Sequence, residues 1–298
     1  MRKIVIIGAG ALGKCLAALL AGQAIITVYD RNPIICRALM KGWFILNEKG
    51  RTKKVKVRTV ASLAELQSAK IDVLIFATKI MDLQVAVKEA AGLDPQCVFF
   101  PQNGMFDISW VKRFLRTANV CRGVTTMACQ QTGSSQLTLF YRGTIYISGG
   151  GAMLIASLFR RGGIGIKICH DSIGFILAKL IFSSVMNPLP VITSRGYDVL
   201  RMDRDVWKLV QRAVEEGRAV ARALGVRLAF DPLALIHRVR DGDLAGISYR
   251  GSMFQDILEG RPTELNFIVG ALVHQARKVG IKTPTLELIL DKARMVGA

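Results

Sequence analysis

Residues 4–13 read IVIIGAGALG, an apolar run that enters three glycines spaced G-x-G-x-x-G and continues into a helical segment. Each glycine has its own purpose there: Gly8 permits a sharp turn, Gly10 lets the backbone approach a pyrophosphate, and Gly13 lets the helix pack closely on the strand. Ala11 and Leu12 open the helix, whose N-terminus presents unpaired N–H groups and the positive end of its dipole to phosphates. The motif alone is weak, but its setting is specific. Strand 4–7 precedes it, helix 11–21 follows, a second apolar strand spans 24–29, and Asp30 closes that strand at the spacing of a ribose contact. The plain alternative is a glycine-rich turn that binds nothing.

The chain is 298 residues long, 51% hydrophobic and 21% charged, enough for about two domains with a large core and unlike a disordered chain. Six cysteines, at 15, 36, 97, 121, 129 and 169, are scattered without C-x-x-C pairing. With only His170, His237 and His274 beside them, no metal site is expected, and reduced thiols in a cytoplasmic protein are the simpler account. Met1-Arg2-Lys3 before apolar residues imitates a signal peptide, yet glycines and Lys14 break the run. No window is expected to supply the near-continuous apolar stretch of about 20 residues that a membrane span requires.

The formal charge of +19 is uneven: residues 1–168 carry 23 Lys and Arg against 8 Asp and Glu, whereas 169–298 carry 18 against 14. Such a field steers anionic cofactors and acidic substrates. Lys49, Arg51, Lys53, Lys54, Lys56 and Arg58 surround Gly50 in an alternating pattern that predicts an exposed hairpin. A solvated basic edge explains it; nucleic-acid binding is disfavoured because no aromatic residues interleave the charges.

Asn32-Pro33 reads as a helix cap and first turn leading into 34–40. Helices are then expected at 62–68 and 81–91, with buried strands at 71–77 and 97–101, the latter ending in Gln102-Asn103-Gly104. Strands alternating with helices predict a Rossmann-type, doubly wound parallel sheet whose ligands bind at the strands' carboxyl ends. Further strands are expected at 120–128, 135–141, 144–148 and 164–169, with a helix at 152–159 after the Gly149-Gly150-Gly151 loop. From 171 the period is helical, with segments near 171–192, 203–224, 231–240, 251–259, 264–279 and 285–296. The expected α/β architecture is therefore a dinucleotide-binding domain, 1–168, followed by an all-helical domain, 169–298, with a small-molecule site in the cleft between them.

On the first long helix, Lys179, Ser183 and Asn187 recur at i, i+4 and i+8 and so share a face. Ile176, Leu177, Leu180 and Ile181 flank the lysine. Two readings are open: a desolvated amine tuned for proton transfer, or a snorkelling ammonium. Pro188 ends or kinks that helix.

Five segments together resemble the ketopantoate reductase (2-dehydropantoate 2-reductase) family over nearly the whole chain: IVIIGAGALG at 4–13, VLIFATK at 73–79, PQNGM at 101–105, AKLIFSSVMNPL at 178–189 and SMFQDILEGRPTEL at 252–265. The resemblance implies roles for individual residues. Lys179 is the proton donor to the carbonyl oxygen, and Glu264 the active-site acid that holds a substrate hydroxyl or assists proton transfer. Ser252 contacts the substrate carboxylate, Asn103 lies near the nicotinamide and the reacting carbonyl, and Asn187 is an active-site amide. Lys79 contacts the cofactor, as do Gly8, Gly10, Ala11, Leu12 and Gly13. Arg31 matches the residue that meets the 2′-phosphate of NADP, while Asp30 is the acid that favours the ribose hydroxyls of NAD, so the expected cofactor is NADPH with NADH as the alternative. An Asp30–Arg31 pair is a further expectation.

Ser183 and Tyr249 stand where the family commonly has asparagine, which opens the alternative of another 2-oxo acid or 2-hydroxy acid. The expected partners are thus a small-molecule 2-oxo acid and, where the chain self-associates, a second copy in a homodimer. Membrane and nucleic acid are not expected. A different class of protein, one that senses a dinucleotide or binds nucleic acid without turnover, rests only on the basic first half.

Overall fold

The computed structural model describes residues 1–117, 119–242 and 251–297. The chain forms two compact units, Met1–Gln102 with Phe106–Ser172, and Asn103–Met105 with the chain from Ile173 onward.

In the first unit the strands are β1 (Arg2–Ile7), β2 (Ala24–Tyr29), β3 (Trp43–Glu48), β4 (Arg51–Lys56), β5 (Arg58–Thr59), β6 (Ile71–Phe76), β7 (Pro95–Phe100), β8 (Val120–Thr125), β9 (Ala128–Gly133), β10 (Gln136–Tyr141), β11 (Thr144–Gly149) and β12 (Gly165–Ile168). Helices α1 (Ala11–Leu20), α2 (Pro33–Leu39), α3 (Leu83–Glu89) and α4 (Ala152–Arg161) connect them. The main sheet has the order β12-β11-β8-β7-β6-β1-β2-β5, parallel except where β11 meets β8. Its central strands are apolar at successive positions because both faces are covered. Ile4, Ile6, Val73, Ile75 and Phe99 point into the core that holds α1 and α4, whereas Val5, Ile7, Leu74, Phe76 and Phe100 point into the core on α3. On that second face the rings of Phe76 and Phe100 stack 5.1 Å apart. Strand order reverses between β6 and β1, and a doubly wound sheet binds its ligand at that point.

The second sheet, β4-β3-β10-β9, is additional to the expected architecture. The β3–β4 hairpin forms as predicted, but β3 then pairs in parallel with β10, each residue with one 91 positions later. The segment 120–128 does not continue as one strand; it leaves the main sheet after Thr125 and restarts as β9 at Ala128. The cause is burial on one face: Phe44, Leu46, Val55, Leu137 and Leu139 join the core around α1, which is therefore covered on both sides. The sheet also brings the Trp43 ring to 4.0 Å from the ammonium groups of Lys41 and Lys54, so an aromatic does sit among these lysines. At 62–68 only a short 3-10 turn forms, Leu63–Leu66, closed by a reciprocal Ser62–Glu65 capping box.

In the helical unit the elements are α5 (Ile173–Met186), α6 (Leu189–Thr193), α7 (Val199–Met202), α8 (Arg204–Ala223), α9 (Pro232–Arg240), α10 (Gly251–Leu258), a π-helical turn (Asn266–Gly270), α11 (Ala271–Lys278) and α12 (Pro284–Met295). Contrary to expectation, the run Ile173–Thr193 is long and apolar enough to cross a membrane, with a mean hydropathy of 1.7. Of its most apolar 18-residue window, 83% is buried inside the protein, as an apolar segment must be when it forms a core. A Cβ at Gly217 on α8 would meet Ile181 at 2.7 Å, so the glycine sets how closely α8 packs on α5. Glu216 accepts from the backbone N–H groups of Thr285 and Leu286, satisfying the first turn of α12.

Candidate active site

The turn after β1 is built by steric exclusion. Gly8 has φ +98°, and a Cβ there would lie 2.8 Å from the backbone of Ala77 and Thr78 at the end of β6; a Cβ at Gly13 would lie 1.8 Å from the Gly8 carbonyl oxygen. Both positions require glycine for the protein's own packing. Gly10 differs: a Cβ would meet nothing within 4 Å among the described residues, so its backbone borders open space there. Ala11 and Leu12 are partly exposed, and no side chain caps the start of α1. An open glycine at an uncapped helix N-terminus on the switch point fits a dinucleotide pyrophosphate.

Asp30 does not pair with Arg31. Its Oδ2 accepts from the N–H of Ala9 at 2.6 Å and its Oδ1 from that of Asn32 at 2.8 Å, because the chain doubles back at Asn32 to cap α2. Arg31 instead donates through Nη2 to Asp82 Oδ1 at 3.0 Å. Lys14, one residue past Gly13, is a group the sequence reading missed. It is 1% exposed, and its Nζ has no hydrogen-bond partner among the described residues. Burial pushes its pKa down to about 8, partly opposed by the Asp30 charge. A lysine within an apolar helix face was the available signal.

Lys79 follows β6 and precedes a 3-10 turn, Ile80–Asp82. Asn103 follows β7, with its Oδ1 buried and without a hydrogen-bond partner among the described residues. The residue before it, Gln102, donates its side-chain amide to the Phe76 carbonyl at 2.6 Å. Arg122, also missed from sequence, is 2% exposed on β8 and donates from Nη1 to the carbonyls of Phe100, Gln102 and Gly123 at 2.8, 2.8 and 2.9 Å. Its guanidinium stacks 4.1 Å from the Phe106 ring. The signal was a cation within a buried strand, Val120–Thr125.

On α5, Lys179 is buried at 8% exposure, and its Nζ lies 4.7 Å from the Phe182 ring centroid. It does not snorkel to solvent. Desolvation lowers its pKa to about 8, near the value at which an amine both holds and releases a proton at neutral pH. One turn on, Ser183 is 1% exposed, and its hydroxyl has no hydrogen-bond partner among the described residues. Asn187 follows the last turn of α5, partly exposed. Ser252, exposed on α10, follows Gly251, whose missing Cβ leaves room for the Tyr197 hydroxyl at 2.8 Å; that hydroxyl donates to the carbonyl of Met186, beside Asn187. Glu264 is half-buried and opens the π-helical turn by accepting at its carbonyl from Phe267 and Ile268. That turn packs against α5. Tyr249 lies outside the described residues. Among the described residues no group of three or more His, Cys, Asp or Glu side chains is arranged to hold a metal ion.

Residues 4–152 match the family described as ketopantoate reductase PanE/ApbA, and residues 172–297 match its C-terminal domain. A 2-dehydropantoate 2-reductase of Archaeoglobus fulgidus is 27% identical over 99% of this chain and 98% of its own. By fold, the chain is similar to a D-mandelate dehydrogenase solved with NADH and anilino(oxo)acetate, with a TM-score of 0.86, 22% identity and coverage of 99% and 98%. It is also similar to a ketopantoate reductase of Ralstonia eutropha, with a TM-score of 0.84, 24% identity and the same coverage.

Proposed function

This chain belongs to the ketopantoate reductase family, and we propose that it reduces 2-dehydropantoate to pantoate with NADPH, in the cytoplasm, as a step toward pantothenate and coenzyme A. Family membership makes it an oxidoreductase acting on a CH–OH group with a nicotinamide dinucleotide and a small-molecule substrate. The observation that carries the proposal is Lys179: a buried amine with its pKa lowered to about 8, one turn before the Ser183 hydroxyl, which has no hydrogen-bond partner among the described residues, with the Asn187 amide just past the helix end.

The turn Gly8–Gly13 and Arg31 would hold the cofactor, with Lys79, and the bound dinucleotide supplies the hydride. In this reading the Lys179 ammonium hydrogen-bonds the substrate carbonyl oxygen and transfers its proton there as negative charge develops. An ammonium in a dehydrated setting stabilises that developing charge more than it stabilises the neutral ketone, which is the condition for accelerating the reaction. Ser252 and Asn187 orient the carboxylate and the chain of the oxo acid, Glu264 accepts from its hydroxyl, and Asn103 supplies an amide beside the reacting carbon.

A second reading keeps this chemistry and changes the substrate to another 2-oxo acid. Ser183 favours it: a short buried hydroxyl leaves more room than the asparagine common in the family. Loss of nicotinamide absorbance over a panel of oxo acids, each with NADPH and NADH, tests both readings. Selectivity for ketopantoate with NADPH supports the first. Faster turnover of a different oxo acid supports the second, and a strong preference for NADH overturns the cofactor assignment.

A further inference from the structure

We infer that Asp82 sets how strongly this chain distinguishes a dinucleotide with a 2′-phosphate from one without it. The inference rests on reading the β1 turn as the dinucleotide site. In the sheet order β6-β1-β2, the chain leaving β2 supplies Arg31 and the chain leaving β6 supplies Lys79 and Asp82, with β1 between them. The Arg31–Asp82 ion pair, at 3.0 Å, therefore passes across the carboxyl end of β1, where the Gly8–Gly10 turn lies. Asp30 does not fill this role: its oxygens accept from the amides of Ala9 and Asn32, and the Arg31 guanidinium turns to Asp82.

The pair is exchangeable. The Arg31 and Asp82 side chains are 56% and 45% exposed, and ion pairs this exposed are weakly held. A phosphate monoester carries nearly two negative charges and binds a guanidinium through paired hydrogen bonds. Asp82 competes for that same fork, and its carboxylate stands within ion-pair reach of the group that would bind the phosphate. A dinucleotide with a free 2′-hydroxyl needs no fork and leaves the pair intact. Of the other charges at these strand ends, Lys79 favours an anion, Asp30 opposes one from its fixed position, and Lys14 is buried behind the turn. Asp82 is the acidic group whose removal alters the contest for Arg31 without dismantling the turn.

The test is calorimetric titration of 2′,5′-ADP and of 5′-AMP, which carry the distinguishing phosphate without any turnover. D82N should bind 2′,5′-ADP roughly three- to tenfold more tightly than the parent chain, with 5′-AMP unchanged within about twofold. D94N removes an equal charge from an exposed acid at the amino-terminal end of β7, away from the ligand end of the sheet, and should alter neither. R31M should abolish the preference for 2′,5′-ADP with or without D82N. An unchanged ratio of the two affinities in D82N, or equal effects of D82N and D94N, overturns the role of Asp82 and leaves the dinucleotide site standing. Failure of the parent chain to bind either nucleotide or either dinucleotide overturns the site itself, and the inference with it.

Discussion

Arg122 donates from Nη1 to the carbonyl of Gln102 at 2.8 Å, so a cation buried in β8 fixes the last residue before Asn103. The same nitrogen holds Phe100 and Gly123. R122M removes this donor from the carbonyls of Phe100, Gln102 and Gly123, and a buried carbonyl left unsatisfied costs about 1–3 kcal/mol. Urea unfolding should show a loss of about 1–3 kcal/mol, with R122K intermediate. An unfolding midpoint equal to that of the parent chain would show that the clamp contributes nothing.

The glycines of the β1 turn should separate by consequence. G13A drives a methyl group to 1.8 Å from the Gly8 carbonyl oxygen, which displaces α1 from β1, and the variant should lose several kcal/mol or fail to fold. G10A places its methyl group in open space and should unfold within about 1 kcal/mol of the parent chain while losing tenfold or more in dinucleotide affinity. Thermal unfolding and fluorescence titration of the reduced dinucleotide read the two effects. Equal losses of stability would contradict the division of labour.

Lys179 ties stability to pH with a defined sign. Its folded pKa of about 8 lies below the 10.5 of an ordinary lysine. Below pH 8 both states are protonated and the folded chain bears the full cost of a buried ammonium. Between 8 and 10.5 the unfolded chain holds a proton that the folded chain has shed, so stability rises with pH, and above 10.5 the cost is gone. K179M should therefore be more stable than the parent at pH 7, by up to about 3 kcal/mol, with the advantage fading toward pH 10.5. Denaturant unfolding at pH 7 and pH 10 checks it; a destabilised variant at pH 7 would show that the ammonium is compensated.

Ser183 offers the opposite pairing of effects. Its hydroxyl is buried without a partner among the described residues, so S183A should leave stability unchanged or raise it by up to about 1 kcal/mol, while kcat/KM for the oxo acid falls roughly five- to tenfold. A fall in stability with unchanged kcat/KM would assign the hydroxyl to the core.

The parallel sheet was legible because its signals are local: continuous apolar strands, an Asn-Pro cap at 32–33, and glycines whose spacing matches one turn. The helical unit followed from the change of period after 171. The second sheet was not, because β3 pairs with β10 at an offset of 91 residues and the alternation of Phe44 and Leu46 names a buried face without naming its partner. Site residues divide in the same way. Lys179 and Ser183 lie one turn apart on α5, so their spacing reveals a common face, whereas Asn187 falls just past the helix end at Met186. Arg31 and Asp82 lie 51 positions apart, and only the strand order β6-β1-β2 brings their side chains together. Arg122 and Lys14 were visible as cations in apolar segments, but the carbonyls that Arg122 holds are set by the register of β7 against β8.

The central claim is that Lys179 delivers the proton during reduction of the oxo acid. The most direct measurement is the turnover of ketopantoate with saturating NADPH from pH 6 to pH 10, for the parent chain and for K179A. The account predicts a rate that falls as pH rises through about 8, and a loss of about 100- to 10,000-fold in kcat for K179A with dinucleotide affinity retained. A K179A enzyme that turns over at the parent rate with the same pH profile would contradict it.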